Sequence, residues 1–229
     1  MSTALLCLPF AGAGASFFQP WRAEAGDELV VVPLQLPGRE RRIDDEPYTD
    51  VFAAVEGLLA ELPAEHDEVA LFGHSLGAVL AYELAHRLVA RGTVVRRLFA
   101  SGSPEPGSPR RQRATGLPDD EFLRRVAEFA GYRHDALADE EMRELILPTL
   151  RADVEMHENY RPHADEALPV PITALRGRDD ELVTADEVAG WVKVAGRDFE
   201  YAELPGGHMH LVDSRTELLG LIRGSLGCG

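Results

Sequence analysis

The sequence predicts an α/β fold in which a mainly parallel sheet is flanked by helices. Short apolar runs of strand-like composition alternate with helical segments along most of the chain, which is the pattern of βαβ units. The chain has 229 residues, 45% of them hydrophobic and 27% charged, and this is the size and composition of one globular α/β domain. We therefore expect residues 1–229 to form a single domain.

The individual elements follow from local pattern. Apolar runs predict strands at residues 4–8, 29–34, 69–72, 94–100, 172–175 and 199–204. Helical patterns occupy residues 49–62, 78–90, 187–194 and 215–222. The helix over 78–90 is followed by Gly92, a residue suited to the position just after a helix end.

The stretch from residue 104 to 168 interrupts this alternation. It opens with a segment rich in Pro and Gly and continues with three helix-like segments. We interpret residues 104–168 as a helical lid over the C-terminal edge of the sheet, because long insertions are often functional; ordinary packing helices are the alternative. Helical periodicity does not distinguish a substrate chamber from a core, so four apolar residues stand as candidates for lining a chamber: Phe122, Phe129, Met142 and Tyr160.

Charge and cysteine content exclude several classes of protein. With 23 basic and 39 acidic residues the net charge is −16, which argues against nucleic-acid and membrane-surface binding. Neither a signal peptide nor an apolar run long enough to span a bilayer is recognisable. The two cysteines make no disulfide framework: we expect Cys7 in a buried strand and Cys228 in a frayed tail. A reducing cytoplasm fits this composition.

Residues 73–77, Gly-His-Ser-Leu-Gly, are the strongest catalytic signal. The pattern lies between a predicted strand and a predicted helix, which is the setting of the nucleophile elbow in the α/β-hydrolase fold. Ser75 would sit on a sharp turn, and side chains at positions 73 and 77 would collide with the neighbouring strand and helix. The alternative is that Ser75 only caps the helix.

A serine nucleophile needs a base and an acid that orients the base. In this fold they follow in the order Ser, acid, His, each after a strand. Asp180 follows the strand at 172–175, with the adjacent Asp179 as the alternative acid. His208 follows the last strand and a Gly-Gly bend, with His210 as the alternative base. A metal site at this His-x-His pair is not supported, because no further ligand cluster accompanies it.

The oxyanion hole needs two backbone N–H donors. The amide of Leu76, directly after the nucleophile, is one candidate. The small residues of the loop 9–16 after the first strand let the backbone approach a substrate, and we expect Ala11 there, with Phe10 as the alternative. Phe10 and His74 are also candidates for substrate contact. The same loop contains Gly12-x-Gly14, but the third glycine of a dinucleotide motif is replaced by Phe17.

With these residues identified, the sequence resembles the type II (external) thioesterases of polyketide and nonribosomal peptide synthesis over nearly its whole length. The motifs that carry the resemblance are residues 8–12 (LPFAG), 35–42 (QLPGRERR), 73–77 (GHSLG), 117–122 (LPDDEF), 147–153 (LPTLRAD) and 206–208 (GGH). Three positions depart from the family pattern. Ala13 replaces a common glycine, Leu76 a common methionine and Glu181 a common proline.

The resemblance implies a serine thioesterase that hydrolyses acyl or aminoacyl groups from the phosphopantetheine arm of carrier proteins. It further implies a monomeric cytoplasmic enzyme with a lid and without a cofactor. Basic clusters at Arg39, Arg41 and Arg42 and at 110–113 suggest a docking site for acidic carrier proteins, with a solvated surface as the alternative. A carboxylesterase or lipase-like enzyme for small free esters and a non-catalytic scaffold remain as rival interpretations. The sequence does not identify the preferred acyl group or the pathway.

Overall fold

A computed structural model describes residues 2–62, 68–108, 113–130, 139–162 and 166–228. Six parallel strands in these segments form one sheet with the order β2-β1-β3-β4-β5-β6. The strands are β1 Thr3–Leu8, β2 Leu29–Pro33, β3 Glu68–His74, β4 Val94–Ser101, β5 Ile172–Gly177 and β6 Phe199–Leu204. The order reverses direction beside β1, so the loops after β1 and β3 meet at the same edge of the sheet, where open α/β sheets bind their ligands. The predicted fold class is confirmed.

Helices cover both faces of the sheet. They are α1 Gln19–Glu24, α2 Val51–Glu61, α3 Leu76–Ala90, α4 Asp119–Ala130, α5 Glu140–Asn159, α6 Ala185–Ala189, α7 His210–Asp213 and α8 Arg215–Leu226. Alternate residues of β1 point to opposite faces, as strand geometry requires. Leu6 and Leu8 pack with α2 and α3, whereas Leu5 and Cys7 pack with α1 and α8.

Two predictions about these elements are wrong in detail. The second and third helical segments expected in the insertion are one continuous helix, α5, with Pro148 inside it. The segment predicted as a helix at 187–194 is split into α6 and a following 3-10 turn, Gly190–Val194. Cys228 is also not frayed: it is buried against the face of the sheet that carries α8, while Cys7 is buried in β1 as expected. Both cysteines are free.

The residues between β4 and β5 form their own small apolar cluster. Phe122 and Leu123 of α4 pack there against Leu150 and Val154 of α5, and Ala11 of the loop after β1 lies against the same cluster. The second half of α5 is therefore in contact with the edge of the sheet at which the candidate catalytic residues lie. Nowhere in the described part of the chain does a helix reach the length and apolarity needed to cross a bilayer.

Candidate active site

Ser75 lies on the sharp turn between β3 and α3. Its backbone has φ 53° and ψ −114°, a conformation that L-residues rarely adopt and that costs on the order of 1–3 kcal/mol. The turn is held by the Ser75 amide, which donates to the carbonyl of Ser101 at 2.8 Å, and by the Ser75 carbonyl, which accepts from the amide of Ala78 at 3.1 Å. The side chain thus sits at the carboxyl end of β3 and at the N-terminus of a 15-residue helix.

The two glycines around Ser75 are required by their surroundings. A Cβ at Gly73 would overlap the carbonyl group of Gly77, and a Cβ at Gly77 would overlap the carbonyl of Leu8 at the end of β1. Neither obstacle can move cheaply, because both are backbone atoms. The steric reason predicted for these glycines is therefore confirmed, and it brings the end of β1 against the start of α3.

Asp180 and His208 meet at the carboxyl ends of β5 and β6. The Nδ1 atom of His208 lies 2.9 Å from Oδ2 of Asp180, and both side chains are buried. The other carboxylate oxygen, Oδ1, accepts the amides of Leu182 at 2.8 Å and Val183 at 3.0 Å. Asp179, the alternative acid, is exposed on the adjacent position. The geometry therefore pairs His208 with Asp180.

The protonation of Asp180 follows from these contacts. Burial alone would raise the pKa of its carboxyl group, but the hydrogen bond and charge of His208 and the two backbone amides outweigh burial and lower the pKa below the ordinary range. Asp180 is thus a carboxylate at neutral pH, and it accepts a hydrogen bond from the Nδ1–H of His208. Because Nδ1 carries the hydrogen, Nε2 is the ring nitrogen that can accept a proton.

The loops that carry this pair are packed tightly together. A Cβ at Gly177 would overlap the carbonyl of Gly207, and the amide of Asp179 donates to the carbonyl of Gly206 at 2.9 Å. The guanidinium of Arg176 donates to the carbonyl of Asp180 at 2.8 Å. Gly177 at the end of β5 therefore lets the loop after β6 lie directly on this strand end.

His210, the alternative base, belongs to a buried polar chain behind His208. Its Nδ1 lies 3.2 Å from the carbonyl oxygen of His208, so it must donate, and its Nε2 then accepts from the hydroxyl of Ser101 at 3.1 Å. The Ser101 hydroxyl oxygen accepts in turn from Nδ1 of His74 at 3.0 Å. Burial, together with the charge of His208, lowers the pKa of His210 to about 4. His210 is a neutral support of the His208 backbone.

His74 is completely buried, which differs from the predicted contact with substrate. Its ring centroid lies 4.9 Å from that of His208, and Gly102 is small enough to let the ring pack on the backbone after β4. Burial and the neighbouring imidazoles hold its pKa well below the ordinary value. Its Nε2 has no hydrogen-bond partner among the described residues. The hydrogen-bonded chain from His74 to His210 was not predicted, because it runs through the hydroxyl of Ser101, a residue that belongs to no recognisable sequence motif.

Several amides of the loop after β1 already have hydrogen-bond acceptors. The amide of Gly12 donates to Asp153 of α5 at 2.7 Å, and the amide of Ala13 donates to the carbonyl of Phe10 at 3.0 Å. Ala11 lies between Phe10 and Gly12 and is partly exposed, and Leu76 occupies the first position of α3. The first amides of a helix have no intrahelical acceptor, which leaves the Leu76 amide available. Leu76 and Ala11 stay the predicted oxyanion donors. Phe10 is half-buried, edge-on to His74 at 5.9 Å.

The remaining substrate-contact candidates occupy different environments. Phe122 is fully buried in the apolar cluster of α4 and α5, where the Arg151 guanidinium lies 4.3 Å from its ring centroid. Tyr160 is buried and donates to Glu83 of α3 at 2.6 Å. Both residues pack in the interior of the described structure, and their contact with a substrate stays a prediction. Met142 is 41% exposed at the start of α5, and the side chain of Phe129 lies outside the described residues.

One buried ion pair at this edge was not foreseen. Arg39 is only 7% exposed and binds Asp153 of α5 in bidentate fashion, with N–O distances of 2.6 and 2.7 Å. Arg39 therefore does not belong to a basic docking surface, and this part of the prediction is wrong. Arg41 and Arg42 bind Glu61, and Arg42 also binds Asp45. In the second cluster Arg113 binds Glu158, while residues 110–112 lie outside the described residues.

The described side chains also bear on metal binding. No group of three or more His, Cys, Asp or Glu side chains within the described segments is arranged to hold a metal ion. The groups placed at this edge of the sheet are a serine on a strained turn, a buried imidazole–carboxylate pair and backbone amides. Such groups perform acyl transfer.

This fold and this site define an enzyme of the α/β-hydrolase class. A family model described as "Thioesterase domain" matches residues 3–226. The chain therefore belongs to the thioesterase family.

Individual relatives agree with this assignment. The gramicidin S biosynthesis protein GrsT of Aneurinibacillus migulanus is 35% identical over 218 residues, which cover 94% of this chain and 85% of that protein. Among solved structures, the type II thioesterase BorB from the borrelidin biosynthetic cluster is 36% identical with a TM-score of 0.87 and covers 99% of this chain and 93% of its own. ClbQ from the colibactin NRPS/PKS pathway is 26% identical with a TM-score of 0.90, covering 99% and 98%. The resemblance found from the motifs is confirmed.

Proposed function

We propose that this protein hydrolyses acyl or aminoacyl thioesters carried on the phosphopantetheine arm of carrier proteins in nonribosomal peptide or polyketide synthesis. The observation that carries the proposal is the hydrogen-bonded Asp180–His208 pair, whose imidazole centroid lies 4.9 Å from that of His74, the residue before the serine on the strand-to-helix turn. The family match and the similarity to BorB, a type II thioesterase from a biosynthetic cluster, support the choice of thioesters over free esters. The enzyme would remove stalled or wrongly loaded acyl groups, acting as a monomer in the cytoplasm without a cofactor.

The proposed reaction has two acyl-transfer steps. Ser75 Oγ attacks the thioester carbonyl carbon while His208 Nε2 takes the hydroxyl proton, and the amides of Leu76 and Ala11 bind the oxyanion. The C–S bond breaks and the pantetheine sulfur receives the proton from His208. Water then attacks the acyl-enzyme with His208 again as base, which releases the carboxylic acid and restores Ser75. Asp180 holds the ring with Nδ1 protonated and stabilises the imidazolium.

Helices α4 and α5 are proposed to form the lid over this site. The support is positional: a Cβ at Gly12 in the loop after β1 would lie 3.1 Å from the Leu150 side chain of α5. Ala11 packs against the apolar cluster that the two helices share. An acyl chain bound to Ser75 would then lie beneath α4 and α5.

The test is a panel of acyl groups loaded on a carrier protein and compared with matched oxygen esters. The wild-type enzyme should have a higher kcat/KM for the thioesters, and Ser75→Ala should lower kcat by on the order of 10⁴–10⁶. A near wild-type rate in the Ser75→Ala protein would exclude Ser75 as nucleophile. Preference for free oxygen esters would favour the carboxylesterase alternative. Failure of a fluorophosphonate probe to label Ser75 would favour a non-catalytic scaffold.

A further inference from the structure

We infer that Asp153 of the helix α5, together with Arg39, is a positioning residue for the oxyanion hole. This inference rests on the proposed function of Ser75 and Ala11. It concerns the four-residue turn Phe10-Ala11-Gly12-Ala13, which contains the proposed donor Ala11 and which lies in a loop without regular secondary structure.

The turn has two possible orientations of its central peptide. The amide of Ala13 donates to the carbonyl of Phe10 at 3.0 Å, and Gly12 at the third position has φ +78°. A positive φ at this position is the signature of a type II turn, in which the central peptide is rotated by about half a turn from its orientation in type I. The Gly12 N–H therefore points in one of two directions. A hydrogen-bond acceptor placed in one of these directions selects the turn type.

Asp153 supplies that partner. Its Oδ2 accepts the Gly12 amide at 2.7 Å, and the carboxylate is only 1% exposed. A hydrogen bond from a backbone amide to a buried carboxylate is among the stronger ones in proteins. The contact joins residues 141 positions apart, so it is a link between α5 and the loop after β1.

Arg39 holds the other side of the same turn. Its Nη1 donates to the carbonyl of Ala13 at 2.9 Å and to Oδ2 of Asp153 at 2.6 Å, and its Nη2 donates to Oδ1 of Asp153 at 2.7 Å. Its Nε donates to the carbonyl of Pro37 at 3.2 Å. The buried Arg39–Asp153 ion pair thus binds two backbone groups of the turn. Asp153 accepts the N–H of Gly12, and Arg39 donates to the carbonyl of Ala13.

The consequence is that the proposed oxyanion donor is set by the lid helix. A carboxylate on α5 fixes the peptide that follows Ala11, so the donor is in place only while α5 is docked on the sheet edge. Misplacing a donor by about 1 Å costs on the order of 10²-fold in rate. We therefore expect Asp153 to act on the chemical step rather than on substrate affinity.

The experiment compares Asp153→Asn with a matched change on the same helix, Glu158→Gln. Glu158 is also buried and also accepts backbone amides, those of Ala114 at 2.6 Å and Thr115 at 3.1 Å, but it does not contact the loop after β1. Both oxygens of Asp153 accept N–H groups, so in Asp153→Asn the side-chain N–H₂ faces an N–H donor of Arg39 or Gly12 in either orientation of the asparagine amide. We expect kcat to fall about 10²-fold with KM changed by less than about threefold, and Glu158→Gln to keep both near wild type.

A second readout separates this inference from the proposed substrate. The rate constant for labelling of Ser75 by a fluorophosphonate needs the nucleophile and the oxyanion hole but no carrier protein. It should fall with kcat in Asp153→Asn and not in Glu158→Gln. If the wild-type enzyme is labelled but does not cleave carrier thioesters, the proposed function fails while the labelling comparison still decides the role of Asp153.

Two further variants guard against a simple folding defect. Arg39→Lys keeps the charge but loses the bidentate geometry, and the double variant Arg39→Met/Asp153→Leu replaces the ion pair with apolar side chains, which is often neutral for stability. We expect both variants to have a melting temperature near that of the wild type, and where it is lower the proteins are compared at equal folded fraction. Both variants should still show the loss in kcat and in the labelling rate constant. Folded double-variant enzyme with wild-type kcat, or Asp153→Asn no slower than Glu158→Gln, overturns the inference.

Discussion

Asp180→Asn exchanges one carboxylate oxygen for an amide N–H₂ and leaves the size of the side chain unchanged. In the native arrangement one oxygen accepts from Nδ1 of His208 and the other accepts the amides of Leu182 and Val183. The asparagine has a single oxygen and cannot serve both sides. Whichever way it is oriented, one side loses its acceptor.

The two orientations have different consequences. If the asparagine oxygen stays with the Leu182 and Val183 amides, its N–H₂ donates to Nδ1 of His208, which places the ring proton on Nε2 and removes the base. The opposite orientation keeps the useful tautomer but leaves the buried Val183 amide and the part-buried Leu182 amide facing a donor, at about 1–3 kcal/mol for the first and less for the second. At about 1.36 kcal/mol per factor of ten, this lowers the active population by roughly 10-fold to 10³-fold. The same change in a Ser-His-Asp triad costs about 10⁴ in kcat.

The assay is kcat on an acyl-carrier thioester for Asp180→Asn and, as matched control, Asp179→Asn. Asp179 has the same chemistry one position earlier, but its side chain is exposed. We expect the control to keep kcat within about twofold, since surface substitutions change energies by no more than about 0.5 kcal/mol. Equal, mild losses in the two variants would refute the assignment of Asp180 and the tautomer argument with it.

Two further predictions concern stability. The folded pKa of His210 is about 4, against about 6.5 when unfolded, so the unfolded chain binds more protons between these values and stability falls as pH drops through this window. Lowering the pH from 7 to 5 should therefore reduce the free energy of unfolding of the wild type, measured with urea, by about 2 kcal/mol more than it reduces that of His210→Gln. Equal losses in the two proteins would contradict the buried neutral state of His210. Gly220 lies exposed in α8, and no atom is within 4 Å of the position that a Cβ would take there. Gly220→Ala should therefore stabilise the protein by about 0.5–1 kcal/mol. Gly77→Ala, whose Cβ would collide with the Leu8 carbonyl, should yield no stable enzyme. Melting temperatures of both glycine variants test this, and a lower value for Gly220→Ala would contradict it.

The sheet and the order of the candidate site were accessible from sequence because each signal is local. The predicted run at residues 199–204 has the bounds of β6, and the other strands differ from prediction by a few residues at their ends. Ser75, Asp180 and His208 each lie within four residues after the end of a strand, and parallel strands end at one edge of the sheet. Chain order and strand ends therefore place the three residues at the same edge, and their action as one catalytic group stays a prediction.

What sequence reasoning missed depends on contacts between distant segments. Arg39 and Asp153 are 114 positions apart, and each was visible only as part of a motif, so nothing indicated that they pair. The continuity of α5 was missed because Pro148 normally ends a helix. Here Leu147 and Leu150, on either side of it, are both buried in the cluster with α4, and this tertiary packing outweighs the local preference.

Pro148 also divides α5 into two parts with different tolerance to change. Buried polar contacts to other elements come from residues after it, at Thr149, Asp153, Glu158 and Tyr160. Before it, Met142 and Leu145 are exposed. Mutations at exposed positions such as Met142 and Leu145 are therefore nearly neutral for folding, whereas the buried Leu147 is constrained, and sequence variation can accumulate at the exposed positions over evolution. The same segment is where a library of variants can be screened for new properties while the hydrolytic groups stay unchanged.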